Sequence, residues 1–157
     1  RESLPLGIYV GVHYDRQPFE QTLWLIPRCI TAGIGCRKGA QREQIEELFE
    51  EVCQINGIFH EAVTQVATID IKKEEEGLAA FCREMDLPLI TYTARELEQT
   101  EGEFSPSDFV KSVTGVDNVC ERSAVRAVTG GSLIQKKIGK NGVTVAFAME
   151  EWRVGFE

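Results

Sequence analysis

The chain has 157 residues, about one domain, and 43% of them are hydrophobic, enough to build one real core and to set aside global disorder. Its formal charge is −8, from 17 Lys+Arg against 25 Asp+Glu, which argues against a generic nucleic-acid binder and against a surface drawn to anionic lipid. No apolar run approaches the ~20 residues that span a bilayer, and the opening residues carry no signal-peptide pattern. The first residues, Arg1-Glu2-Ser3, lack a Met, so the chain reads as a piece cut from something longer.

Taken in order, residues 1–22 read as the tail of a preceding region or a linker, with a short strand over Leu6–Val12 and a polar loop over His13–Gln21. The domain is expected over 23–157. Thr22–Ile26 and Arg28–Ile34 are β-rich and broken at Pro27, and they run into Gly33-Ile-Gly-Cys-Arg-Lys-Gly39. A helix follows over Gln41–Ile55, with Ile45, Leu48, Phe49, Val52 and Cys53 on one stripe and five glutamates on the other face. Asn56-Gly57 stops it. Ala62–Ile69 reads as a strand, Asp70 as the cap of a helix over Ile71–Met85, and Leu87–Tyr92 as a third strand. A short helical turn starts at Thr93 or Ala94 and runs through Leu97. Ser105-Pro-Ser-Asp108 predicts another helix, with Ser105 as cap and Pro106 first in the helix. It ends at Gly115. Asp117-Asn118 caps a last helix over Val119–Val128, in which Glu121 completes a capping box. Two apolar runs around Asn141-Gly142 predict a closing hairpin. The order predicts an α/β fold: a three-layer-like, mixed, mostly parallel sheet with flanking helices and a C-terminal β-hairpin.

The five cysteines are widely spaced with no C-x-x-C, so neither a zinc site nor a disulfide framework is expected, and the cytoplasm suits this usage. His13 and His60 have no companion at ligand spacing and read as surface residues. The segment Gly33–Gly39 stands between a strand and a helix. Glycines allow close ligand approach, the helix offers free N–H groups, and Arg37 and Lys38 add charge, so Gly33, Gly35, Cys36, Arg37, Lys38 and Gly39 form a candidate anion site. A plain tight turn is the alternative. Cys36, beside Arg37 and a helix start, reads as a structural or substrate-lining thiol, with an activated thiol as the alternative. Thr68, Asp70 and Lys72 close the second strand, where open α/β sheets bind ligands. Asp70 and Glu121 each read as a helix cap or as an acid–base group. Arg122 and Arg126 share a helix face and read as a small solvated basic patch.

The segment Leu25-Ile-Pro-Arg-Cys-Ile-Thr-Ala-Gly-Ile-Gly-Cys-Arg-Lys-Gly39 resembles the signature of the CobE/CbiG C-terminal family of cobalamin biosynthesis. The likeness continues through Ala67-Thr-Ile-Asp-Ile-Lys72, Glu75-Glu-Gly-Leu78, Pro88-Leu89, Tyr92, Ser105-Pro-Ser107, Gly115-Val116 and Val119-Cys-Glu-Arg-Ser-Ala124. It covers roughly 23–149. Lys38 stands where the family often has a second Arg, and Cys120 where a small residue is usual. The resemblance implies part of a cobalt-precorrin-5A hydrolase of the anaerobic vitamin B12 route, which opens a δ-lactone on the macrocycle and releases acetaldehyde. It implies a cobalt-tetrapyrrole substrate that brings its own cobalt, no resident cofactor or metal site, and contacts with other enzymes of the pathway. A non-catalytic tetrapyrrole carrier or an interaction domain of the same pathway stands as the alternative.

Overall fold

The computed structural model describes residues 6–16 and 19–151. Seven strands and five helices follow in the order β1 (Leu6–Val10), β2 (Gln21–Leu25), β3 (Ile30–Cys36), α1 (Arg42–Asn56), β4 (Val63–Ile69), α2 (Glu76–Glu84), β5 (Leu89–Tyr92), α3 (Ala94–Glu98), α4 (Asp108–Thr114), α5 (Cys120–Ala127), β6 (Ser132–Lys140) and β7 (Val143–Met149). The main sheet has the order β5-β4-β3-β7-β6. Strands β3, β4 and β5 are parallel, and the β6–β7 hairpin joins antiparallel through β7 on β3. The sheet is therefore mixed, with the antiparallel ladder starting beside the central strand and β6 forming the edge.

Alternation along β3 assigns the faces. Ile30, Ala32, Ile34 and Cys36 join the large core with α1 and α2. All five stripe positions of α1 are buried there. Phe49 of α1 meets Phe81 of α2 and Phe147 of β7 edge-on, with centroids 5.3 and 5.9 Å apart. Thr31, Gly33 and Gly35 fall on the opposite face, under α5: a Cβ at Gly33 would lie 1.7 Å from the Cys120 carbonyl oxygen. The result is three layers, helix on sheet on helix. Gly57 closes α1 in the left-handed region, at φ 61°. Asn141 and Gly142, with φ 54° and 76°, make the expected hairpin turn.

Strands β1 and β2 form a separate parallel pair, and β2 crosses residue 22, where the sequence suggested the boundary. The pair touches the domain through Trp24, whose ring meets Phe59 at 5.1 Å. Its other side leaves Leu6, Ile8, Leu23 and Leu25 exposed. Among the described residues no helix is long and apolar enough to cross a membrane.

Three sequence expectations are corrected. Asp70 does not cap α2: it starts a 3-10 turn over Asp70–Lys72, and α2 begins only after Glu75. Ser105 does not cap α4: Ser107 does, with its hydroxyl accepting from the Val110 N–H. Pro106 thus lies ahead of the helix, where its missing N–H costs nothing. At α5 the cap position falls to Val119: Asn118 Oδ1 still accepts from Glu121 N at 2.8 Å, but the Glu121 carboxylate takes the Asn118 side-chain amide rather than its backbone N–H, so no capping box forms, and Asp117 pairs with Arg122.

Candidate functional site

The carboxyl ends of β3 and β4 lie side by side, and the segments after them form one rim. After β3, Arg37, Lys38 and Gly39 are exposed. Arg37 is fixed to the hairpin turn and to α1: its N–H donates to Gly142 O at 2.8 Å, and its guanidinium donates to Gln44 Oε1 at 3.1 Å. Gly39 has φ 79°, the left-handed region that favours glycine, and its N–H donates to Glu75 Oε2 at 3.1 Å. After β4, Asp70 is exposed, and Lys72 reaches Glu75 Oε1 at 4.0 Å. Both Lys72 and Glu75 are mostly buried, with 12% and 16% of their side chains exposed. Arg37, Lys38, Gly39, Asp70 and Lys72 therefore share the rim that the sequence pointed to.

The structure gives three other candidates to the interior. Gly33 is covered by α5, so its missing side chain serves packing rather than ligand approach. Thr68 is fully buried and donates to Ile34 O at 2.6 Å, stitching β4 to β3. Glu121 is also fully buried. One carboxylate oxygen accepts from Ser105 N at 2.8 Å and Asn118 Nδ2 at 3.0 Å, the other from Lys137 N at 2.7 Å and Ser105 Oγ at 3.2 Å. Fully buried and with both oxygens engaged by protein donors, it is held as a scaffold group and is not presented to a ligand as a general base. Gly35 is intermediate: it is partly exposed, with Thr144 Oγ1 closing over the position of its absent Cβ.

Cys36 is 8% exposed on the α1–α2 side. Burial pushes its thiol up to about 11, against the opposing pull of Lys72 and Arg37, with Glu75 adding to the rise. The sequence argument for an activated thiol counted the cations and missed the burial, which outweighs them. Cys29 and Cys82 are raised to about 11, and Cys53 and Cys120 to about 12, each chiefly by burial.

Arg122 and Arg126 are structural rather than a free basic patch. Arg122 pairs with Asp117 at 3.0 Å, donates to Leu97 O, and lies 4.7 Å over the Phe104 ring. Arg126 lies 3.6 Å from Glu96 and 5.5 Å over Tyr92. Glu75 is the rim residue that residue-by-residue reading missed as a site candidate. It lies 36 positions from Gly39, so no local pattern marks the contact.

A cleft of about 290 Å³ opens at the opposite, amino end of the parallel strands, between Arg28, His60, Glu61, Glu84 and Leu87. His60 faces Glu61 at 3.0 Å, and Glu84 is paired with Arg42. Asp86 adds a third carboxylate to this cleft. Such a lining repels a polyanion, so the rim at the carboxyl ends is the better anion site.

Residues 30–148 match the family model described as "Cobalamin synthesis G C-terminus". The cobalt-precorrin-5A hydrolase of Salmonella typhimurium is 28% identical over 146 residues, covering 90% of this chain and 40% of the relative. A probable cobalt-precorrin-5A hydrolase of Methanocaldococcus jannaschii is 30% identical over 141 residues, covering 83% and 44%. The chain thus spans about two-fifths of the length of these curated relatives. The crystal structure of CobE, a protein from the cobalamin (vitamin B12) biosynthetic pathway, matches with TM-score 0.71 and 27% identity, covering 79% of this chain and 92% of CobE.

Proposed function

This chain belongs to the cobalamin synthesis G C-terminus family, and from that premise we propose that it is the part of a cobalt-precorrin-5A hydrolase that holds the macrocycle by its carboxylates. The observation that carries the reading is the rim of Arg37, Lys38, the Gly39 N–H and Lys72 at the carboxyl ends of β3 and β4. A tetrapyrrole ringed by acetate and propionate groups matches such a set of donors. The cobalt belongs to the substrate.

The reaction of the whole enzyme is taken to be lactone opening. Water adds to the acyl carbon of the δ-lactone, a base takes the water proton, and donors hold the oxyanion that develops. The acyl C–O bond breaks, leaving a carboxylate and a hydroxyl on the two-carbon arm; that hydroxyl gives up its proton, the C–C bond to the macrocycle breaks with its electron pair staying on the macrocycle, and the arm leaves as acetaldehyde. Asp70 is the sequence-derived acid–base candidate that stands in solvent on the rim, so it takes the base's role in this reading; Glu121 holds the scaffold behind it. The cytoplasm is the proposed compartment, and other enzymes of the pathway are proposed partners.

A second reading is favoured by the CobE match, in which this domain accounts for nearly all of the matched chain. There the domain binds or carries a tetrapyrrole and leaves chemistry to other polypeptide.

The test is a titration of the chain with a cobalt corrinoid carrying free carboxylates, followed by an acetaldehyde assay on cobalt-precorrin-5A. Binding with turnover supports the hydrolase reading, and binding without turnover supports the carrier. No binding sinks both. Arg37→Ala is expected to weaken binding about tenfold, as loss of a charge-assisted contact does. Arg126→Ala, whose guanidinium is engaged with Glu96 and Tyr92, is expected to leave binding unchanged. Equal effects would remove the 37–39 loop from the site.

A further inference from the structure

One contact on the rim already shows how a carboxylate sits there. Glu75 presents its two oxygens to two different donors: Oε2 takes the Gly39 N–H at 3.1 Å, and Oε1 faces the Lys72 ammonium at 4.0 Å. The donors come from loops after different strands, so the pair forms only in the fold. On the same loop, Arg37 and Lys38 have no carboxylate at ion-pair distance among the described residues. We propose that Gly39 N–H and Lys72 Nζ form a carboxylate subsite that the Glu75 side chain fills and that a carboxylate of the ligand takes over. This inference rests on the proposed function and adds to it a named subsite and an internal competitor.

Two features make the exchange feasible. Glu75 is the residue before α2, with extended backbone at φ −68° and ψ 114°, so its side chain can turn outward without unwinding the helix. The frame does not depend on it either. Gly77 packs α2 directly against Ala40, where a Cβ would meet the Ala40 carbonyl oxygen at 2.0 Å. Exchange of one carboxylate for another keeps both donors satisfied. At 4.0 Å the Lys72 contact is at the long end of ion-pair distance, and the Gly39 N–H lies on exposed backbone, so an incoming carboxylate has access to the subsite.

An internal occupant lowers apparent affinity by the fraction of time it fills the site. Glu75→Gln keeps the shape but removes the charge, so the competitor is weakened. The probe is cobyrinic acid, a cobalt corrinoid with free carboxylates, followed by its visible absorption. Cobinamide, whose acetate and propionate arms are amidated, serves as the control ligand. Glu75→Gln is expected to bind cobyrinic acid about tenfold tighter than the unaltered chain. Its cobinamide affinity is expected to be unchanged, and Lys72→Met is expected to weaken the acid only. Glu76→Gln removes the same charge one residue on, from an exposed position, and is expected to change affinity less than twofold. The subsite is overturned if Glu75→Gln binds the acid no tighter, if both ligands gain equally, or if Glu76→Gln gains as much. If the unaltered chain and all variants bind neither ligand, the proposed function fails and the subsite with it. Thermal melts of each variant confirm that the comparison is between folded chains.

Discussion

Replacing Glu121 with Gln tests whether this carboxylate is an architectural anion. Its two oxygens receive four hydrogen bonds, all from donors: Ser105 N, Ser105 Oγ, Asn118 Nδ2 and Lys137 N. A Gln side chain turns one oxygen into an NH2 group. If that group faces Lys137, the Lys137 N–H meets a donor. If it faces Ser105 and Asn118, two donors lose their acceptor, and Asn118 cannot flip because its Oδ1 already accepts from Glu121 N. The Lys137 N–H has no easy substitute. Four residues of β6, from Gln135 to Ile138, oppose three of β7, from Phe147 to Val145, so the strand bulges there and frees a backbone N–H from the ladder. Each buried unsatisfied donor costs about 1–3 kcal/mol, and the lost charge adds to it. The expected loss is about 3 kcal/mol, or a melting temperature lower by about 6–12 °C for a chain of this size. Urea unfolding followed by far-UV circular dichroism measures it, and Glu121→Met should be worse because it leaves all the donors without an acceptor. A Glu121→Gln variant within about 0.5 kcal/mol of the original would refute the network as drawn.

Gly33→Ala should destabilise by at least about 3 kcal/mol, because the new Cβ has the Cys120 carbonyl oxygen where it must sit; chemical denaturation reads this, and a variant of unchanged stability would mean that α5 can lift away from β3. The five thiols should react slowly with a water-soluble disulfide reagent at neutral pH, since burial raises Cys36 to about 11 and Cys53 to about 12, and fast labelling of Cys36 in the folded chain would show that burial does not dominate there. The same raised values make folding pH-dependent on the alkaline side. Below about 9 the thiols are protonated folded or unfolded, whereas between 9 and 11 the unfolded chain sheds protons that the folded chain keeps. Stability should therefore fall with rising pH in that window, by about 1.4 kcal/mol per pH unit for each such thiol, and a flat alkaline limb in urea titrations would count against it.

The elements most legible in the sequence are those decided by local patterns. The stripe of α1, the Gly57 stop and the Asn141-Gly142 turn each rest on spacing or on a backbone angle, and each is found where expected. Misplaced caps share one cause. Asp70 and Ser105 are good capping residues, but the side chain that caps depends on where the helix starts, and tertiary packing set those starts later in the chain. Gly77 against Ala40 fixes the first turn of α2 close to α1, which leaves the residues from Asp70 to Glu75 to bridge the gap as a tight turn. The site divides in the same way. A glycine beside two cations is a local signal, so the 37–39 loop is readable. Whether a glycine faces ligand or helix is not readable, because the faces of β3 are set by α5, which lies more than eighty residues further along.

Charge gains meaning only once pairing is known. Residues 41–103 hold 16 acidic and 5 basic residues, while the rest of the chain holds 9 and 12, so the excess of −8 is local to one stretch. Much of that acidity is answered in place: Arg42 pairs with Glu43, Glu46 and Glu84, and Lys140 reaches from the hairpin to Glu47 and Glu51. Arg122 and Arg126 are likewise held by Asp117 and Glu96. These pairs remove cations that a count of basic residues would offer to a ligand. Arg37 and Lys38 are left on the rim, and Lys72 is left there with a single carboxylate that the fold can spare. An acidic chain can thus present a cationic edge, because a bound polyanion responds to the nearest few charges far more than to the net charge beyond a screening length of about 8 Å.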